Sequence, residues 1–237
     1  MGEPQLAFAE QQLGQKSLER TYNNESYLRL PIKTCLIDST HNIIEIVQEY
    51  TRDVVEEGDI IFISEKAVAI TEGRAYPIGE VKPRKLAITL SKYVTKTPHG
   101  IGLGIPETME MALRECGVIR ILFAAFCSAI GKVFKKKGIF YIIAGKKAAG
   151  IDGPTEGTIP PYDGYVVLGP KNPKKIAKEI SAVTKTQVAI VDINDLGGVI
   201  LGTSHSSMNK KALVQILRDN PLGQSTEQTP IGIIRKQ

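Results

Sequence analysis

The sequence predicts an α+β fold. Helical and strand-like segments interleave without the regular βαβ cadence of a doubly wound sheet, no internal repeat of fixed period is visible, and the composition is that of an ordinary globular chain. The 237 residues are 42% hydrophobic and 23% charged, which allows a continuous core and lacks the charge excess of a disordered chain. This length falls between one large domain and two small ones.

Each element has a local reason. Residues 1–25 are polar and poorly patterned, and read as a frayed N-terminal arm or one that orders only against a partner subunit; the compact domain then spans 26–237, as one body or two subdomains. Tyr27, Leu28, Leu30 and Ile32 mark a first strand. Ser39 or Thr40 offers an oxygen to cap a helix carrying Ile43, Ile44, Val47 and Tyr50, and Gly58 ends that unit. Asp59 to Ile63 is a short apolar run suited to a buried strand, followed by Ser64-Glu65-Lys66 and Glu72-Gly73-Arg74. Pro106 to Cys116 has helical periodicity, with Gly117 where a positive φ is needed, and a second helix follows to Ile130.

Ile121 to Ile130 is the most apolar stretch, at about ten residues roughly half of what a bilayer-crossing helix needs, so it reads as a buried core helix. Ile139 to Ile143 is β-branched and aromatic, and predicts a central strand. Glycines and prolines between Ile151 and Tyr165 predict a shaped, irregular loop. Asn172-Pro173 opens a helix with Ile176, Ile180 and Val183 inward and Lys174, Lys175 and Lys178 toward water. Gln187 to Val191 predicts a strand that ends abruptly at Asp192. Asn209 caps a last helix through Leu217, and Ile231 to Ile234 is the final strand.

Charge and special residues limit the chemistry. The net charge of +5 favours anionic partners, whether nucleotide phosphates, acidic metabolites, RNA or an anionic surface. Cys35, Cys116 and Cys127 lack the short spacings of a zinc knuckle or redox dithiol, and no cysteine has an evident histidine partner in sequence. His41, His99 and His205 are too scattered to suggest a zinc triad. Gly100-Ile101-Gly102-Leu103-Gly104 matches neither the dinucleotide fingerprint nor the Walker loop, and reads as a flexible loop. Without a Gly-x-Ser-x-Gly elbow, covalent catalysis by a side chain has no support. Met1 to Asn24 holds no secretory hydrophobic region, which predicts a cytoplasmic protein with no membrane partner. An aromatic content of 6% without tryptophan argues against nucleic acid as a partner.

Asp152, at the front of the Gly/Pro loop, and Asp192, after an apolar strand, place carboxylates where a hard cation such as Mg2+ or Mn2+ takes oxygen donors. Asp195 and Asn194 add further oxygens, and neighbouring carboxylates tolerate each other best around a cation. The alternative is ordinary turn chemistry by Asp-Gly and Asn-Asp sequences.

Taken in order from about Tyr27 to Arg235, these segments resemble the coenzyme F-420 gamma-glutamyl ligase family. Gly58-Asp59, the strand through Ile63, Ser64-Glu65-Lys66 and Glu72-Gly73-Arg74 resemble the family's Gly-Asp, apolar strand, Thr-Ser-Lys and Glu-Gly-Arg. Leu113-Arg114-Glu115 resembles its Arg-Glu helix, Ala149-Gly150-Ile151-Asp152 its metal-holding Ala-Gly-Val/Ile-Asp segment, and Ile190-Val191-Asp192 its strand-ending Ser-Asp-Thr. Leu222-Gly223-Gln224, then Glu227 to Pro230 and Ile231, resembles its closing nucleotide-contact strand. The chain departs from the family at Ile70, where a second lysine is usual, at Thr155, where asparagine is usual, and at Ile193-Asn194-Asp195-Leu196, which replaces Thr-Phe-Gly-Arg; an insertion also precedes Asp152.

The resemblance implies a gamma-glutamyl ligase-like α+β fold with mixed or antiparallel sheets and packed helices, in a homodimer. It implies that GTP, or ATP, phosphorylates an acceptor carboxylate similar to an F-420 precursor, and that L-glutamate displaces the phosphate. Asp152 and Asp192 inherit the catalytic metal, supplemented by Asp195 and Gln224; Lys66 takes phosphate, and Ser64, Thr155, Gly223 and Gln224 contact nucleotide. The departures adjoin the acceptor, so folate or another carboxylated cofactor is the alternative acceptor. A non-catalytic nucleotide- or RNA-binding module is the alternative of another class.

Overall fold

A computed structural model describes residues 17–94, 101–136, 138–155, 157–194, 197–223 and 225–237. In chain order the elements are β1 (Glu19–Tyr22), β2 (Glu25–Ile32), α1 (Ile43–Thr51), β3 (Ile60–Ser64), α2 (Glu65–Thr71), β4 (Ala75–Pro77), α3 (Lys85–Ser91), α4 (Pro106–Cys116) and α5 (Val118–Val133). There follow α6 (Ile139–Ala144), α7 (Lys146–Ala149), β5 (Tyr165–Val167), α8 (Pro173–Thr184), β6 (Gln187–Asn194), β7 (Gly197–Thr203), α9 (Lys210–Ile216) and β8 (Ile231–Lys236). The α+β class is therefore observed. Two compact units divide the chain, one formed by the segments through Gly73 and from Pro170, the other by Arg74–Gly169.

The first unit carries a six-stranded sheet in the order β1-β2-β8-β3-β6-β7. It is mixed. β3 and β6 run parallel, with Ile60 opposite Gln187 and Ser64 opposite Val191, while every other pair is antiparallel. One face buries Phe62, Ala189, Val191, Leu213 and Leu217 in a common cluster. Helix α8 packs on β6 and β7, burying Ala177 and Ile180. The approach is close: a Cβ on Gly202 of β7 would stand 2.5 Å from the Lys174 nitrogen. Phe62 lies across Gly232 of β8 in the same way, where an added Cβ would meet its ring at 2.4 Å.

Ion pairs fasten this sheet. Arg29 of β2 is fully buried and pairs with Asp219, and it donates to the Ile216 carbonyl at 3.0 Å. Arg235 of β8 makes a two-pronged contact with buried Asp59, Nε to Oδ1 at 2.9 Å and Nη2 to Oδ2 at 2.7 Å.

The second unit packs α3 to α7 around Leu103, Met109, Leu113, Ile121, Ile151 and Leu168. Its two-stranded sheet pairs β4 with β5 antiparallel, Tyr76 opposite Val166. Glu110 of α4 is buried and takes hydrogen bonds from the Arg84 amide at 3.1 Å, the Arg84 guanidinium at 2.8 Å and Arg114 at 2.8 Å.

Several expectations are met, including α4 with Gly117 at φ +84°, the Asn209 cap and the buried strand expected at Asp59 to Ile63, which is observed over Ile60–Ser64. Others are corrected. Glu19–Tyr22, within the segment read as a polar arm, is a strand paired with β2, because backbone ladder bonds suffice where side chains are polar. Asn42, not Ser39 or Thr40, caps α1, accepting from the Ile44 amide at 3.0 Å.

Ile139–Ala144 is helical rather than a central strand. Gly138 supplies a left-handed φ of +80° and Phe140 and Ile143 pack on the core of the unit, so burial at helical spacing outweighs β propensity. Helix α5 is not wholly buried, since only one side of it faces the core, and Val183 of α8 is exposed. Leu103, in the segment read as a flexible loop, is fully buried.

Burial pushes the Glu110 carboxyl up, but the hydrogen bonds from Arg84 and Arg114 outweigh it and hold its pKa down to about 2, below the ordinary 4.5. A depressed carboxyl adds stability that is complete above its unfolded-state pKa and is lost as pH falls toward the folded value. Thermal melts of the wild type and Glu110→Gln between pH 6 and pH 2 check this: the wild type should lose Tm below about pH 4.5 more steeply than the variant.

Candidate functional site

Within the first unit, the parallel β3/β6 pair builds one edge of the candidate site. Ser64 closes β3 opposite Val191, and the chain turns directly into α2, so Glu65 and Lys66 form its first turn beside the strand residue that precedes Asp192. Ser64 donates its amide to the Pro230 carbonyl at 2.8 Å and makes no side-chain cap to α2. Glu65 is buried and Lys66 is exposed. The hydrophobic strand therefore presents polar groups at its carboxyl end, where helix amides begin.

Asp192 is half-buried and does not terminate its strand. β6 continues to Asn194, with Asp192 opposite Val199 and Asn194 opposite Gly197 in β7. The glycines at 197 and 198 gave the segment the look of a loop; Gly198 is a strand residue whose Cβ would stand 3.2 Å from the Asp192 carbonyl oxygen. By strand alternation Asp192 lies on the sheet face opposite Val191, whose side chain joins the Phe62 cluster.

Gly223 shapes a turn at φ +77°. Its amide donates to the Asn220 carbonyl at 3.1 Å, its own carbonyl accepts from the Asn220 side chain at 2.9 Å, and the Glu227 carboxylate lies where a Cβ would be. Asp195 and Gln224 lie outside the described residues.

Asp152 lies in the second unit, held by a reciprocal backbone bridge to Val167, with both N–H···O distances 2.9 Å. The bridge gives β5 a partner on the edge away from β4 and fixes where the half-buried carboxylate leaves the backbone. Thr155 is exposed and donates its hydroxyl to the Gly153 carbonyl at 3.2 Å. Beneath this, Arg74 donates to the Gly169 carbonyl at 2.7 Å and pairs with Glu115 at 2.9 Å.

Cys35 has a histidine neighbour that its sequence spacing did not suggest. His41 Nε2 is 3.8 Å from Sγ, and His41 Nδ1 accepts from the Asp38 amide at 3.1 Å. Nδ1 also faces the Asp38 carboxylate, with Oδ1 at 3.0 Å, so Asp38 holds the ring on one side while its other nitrogen lies against sulfur. Among the described residues, no group of three or more His, Cys, Asp or Glu is arranged to hold a metal ion. A nucleotide-bound Mg2+ asks less of a protein, since one or two carboxylates suffice when phosphate and water complete the octahedron.

The profile of the F420-0:Gamma-glutamyl ligase family matches residues 31–200. This chain belongs to that family. It is 27% identical over 178 residues to a coenzyme F420:L-glutamate ligase of Methanocaldococcus jannaschii, covering 69% of this chain and 60% of that protein. It is 26% identical over 163 residues to the ligase of the same name from Methanopyrus kandleri, covering 68% and 53%. The chain thus spans little more than half the length of these curated relatives.

Three of the segments that resemble the ligase family take part in ion pairs, each within one unit. Asp59 of Gly-Asp binds Arg235, and Arg74 of Glu-Gly-Arg binds Glu115 of Arg-Glu. Replacing one partner of such a buried pair strands the other, at a cost of about 3 kcal/mol. Urea unfolding of Asp59→Asn should show a loss of that order, whereas exposed Lys66→Ala should stay within about 0.5 kcal/mol of wild type.

Proposed function

We propose that this chain is a nucleotide- and divalent-metal-dependent ligase that joins the amine of L-glutamate to an acceptor carboxylate. Its family membership supports the reaction class, and one observation supports the site: the parallel β3/β6 register puts Ser64, Lys66 and Asp192 at the carboxyl ends of two neighbouring strands.

The acceptor carboxylate oxygen attacks the γ-phosphorus of GTP or ATP, the bond from that phosphorus to the β–γ bridging oxygen breaks, and the nucleoside diphosphate leaves. The amine of glutamate then attacks the acyl carbon, the bond to the phosphate oxygen breaks, and inorganic phosphate departs as the amine loses its proton. No protein nucleophile is required, because phosphoryl transfer depends on position and charge compensation.

Lys66, exposed at the first turn of α2, supplies a cation for the transferred phosphate, and Ser64 offers a hydroxyl at the same strand end. Asp192 in the first unit and Asp152 in the second are the proposed metal-holding carboxylates, with Asp195 and Gln224 as supplements. A bound Mg2+ or Mn2+ held there would supply positive charge to offset that of the phosphates. Thr155 and Gly223 are proposed beside the nucleotide; because both Gly223 backbone groups are engaged by Asn220, its contribution is the shape of the turn.

Phosphate release from GTP and from ATP, measured with and without glutamate over a panel of carboxylated acceptors and in Mg2+ or Mn2+, tests the reading. Release should require metal, acceptor and glutamate together. Asp192→Asn and Lys66→Ala, folded by circular dichroism, should lower it by on the order of 100-fold. Asp192→Asn with wild-type turnover and metal dependence would overturn the assignment.

A further inference from the structure

Helix α5 turns its larger apolar side chains away from the protein. Ile119, Leu122, Phe123, Phe126, Ile130 and Phe134 recur at helical spacing and are all exposed, Ile119 at 85%, Phe126 at 62% and Phe123 at 58%. The core side of the same helix buries Ile121 and Ala124. A scattered exposed leucine needs no explanation, but a continuous stripe along four turns does.

Helix α6 returns beside α5. A Cβ on Gly131 would meet Ile139, and Arg120 donates to the Ile143 carbonyl at 2.9 Å, so the two form an antiparallel hairpin. Ile142, on the second helix, is 78% exposed.

The charge around this face has one sign. From Gly117 to Ile151 the chain holds seven lysines and arginines and no aspartate or glutamate. Arg120, Lys135, Lys136, Lys146 and Lys147 are exposed, around both ends of the hairpin.

We propose that the α5/α6 hairpin is a docking face for an anionic lipid surface, lying in the plane of the headgroups with its phenylalanines and isoleucines inserted and its cations on lipid phosphates. An apolar stripe with flanking Lys and Arg suits an interface that is acyl chain on one side and negative charge on the other. A second copy using the same segment would bring like charges together without acids from that segment to answer them, whereas anionic lipids supply them. At 16 residues α5 reaches about 24 Å, short of a bilayer crossing, and no helix among the described residues is long and apolar enough to span a membrane. The face therefore lies on the surface and does not cross it. The inference is independent of the ligase reading, because the hairpin includes none of the residues assigned to the reaction.

Co-sedimentation of the full chain with phosphatidylcholine vesicles, with and without about one-third phosphatidylglycerol, tests it. The chain should pellet with the anionic vesicles, at least about tenfold more weakly in 0.5 M salt or with neutral vesicles. Phe123→Ser/Phe126→Ser should weaken binding about tenfold or more with an unchanged melting temperature, and Lys135→Glu/Lys136→Glu should remove most of the salt-sensitive part. Failure to pellet with anionic vesicles overturns the proposal, as does unchanged binding by the phenylalanine variant. So does a wild-type dimer in sedimentation velocity that this variant converts to monomer, since the face would then belong to a second copy.

Discussion

The parallel pairing of β3 with β6 is the constraint on which the first unit depends. It is the one parallel pair in a sheet otherwise antiparallel among the described strands. Parallel neighbours end at the same side, so the carboxyl ends of two apolar strands release their polar residues together. Ser64 and Asp192 are 128 positions apart in number but one register step apart in the sheet. Shifting that register by one residue would send Phe62 and Val191 out of their shared cluster, so the hydrophobic face and the polar edge are specified by the same alignment.

Charged residues in this chain divide into those that hold the frame and those that remain at its margin. Arg29, Asp59, Glu110 and Arg74 are buried and answered by partners. Such pairs contribute little net stability compared with apolar replacements, yet they admit few alternative arrangements, which suits elements distant in sequence that must meet in one register. Lys66 differs in its position: it is exposed, just past the carboxyl end of β3.

Much of the fold was legible because local chemistry agreed with the final structure. Pro106 at a helix start, Gly117 at its end and the Asn209 cap are short-range signals that tertiary contacts left unchanged. Ile139–Ala144 was illegible because its β-branched composition speaks for a strand while the side of it facing α5 is decided by packing. β6 seemed to end at Asp192 because Gly197 and Gly198 resemble a turn, whereas Gly198 is needed by the close approach of two strands. The polar candidates were legible as residue types, Ser64 and Lys66 also as a strand end. The partnership of Asp59 with Arg235 and of Arg74 with Glu115 was not, since no local pattern links residues so far apart.

β8 follows every other strand in sequence and yet lies inside the sheet, between β2 and β3. Until residues 231–236 have left the ribosome, β2 and β3 have no common neighbour, and each carries an open row of amides and carbonyls. The sheet therefore closes only after its other described strands have been made, and the interval before closure is when its halves are most open to pairing with other chains.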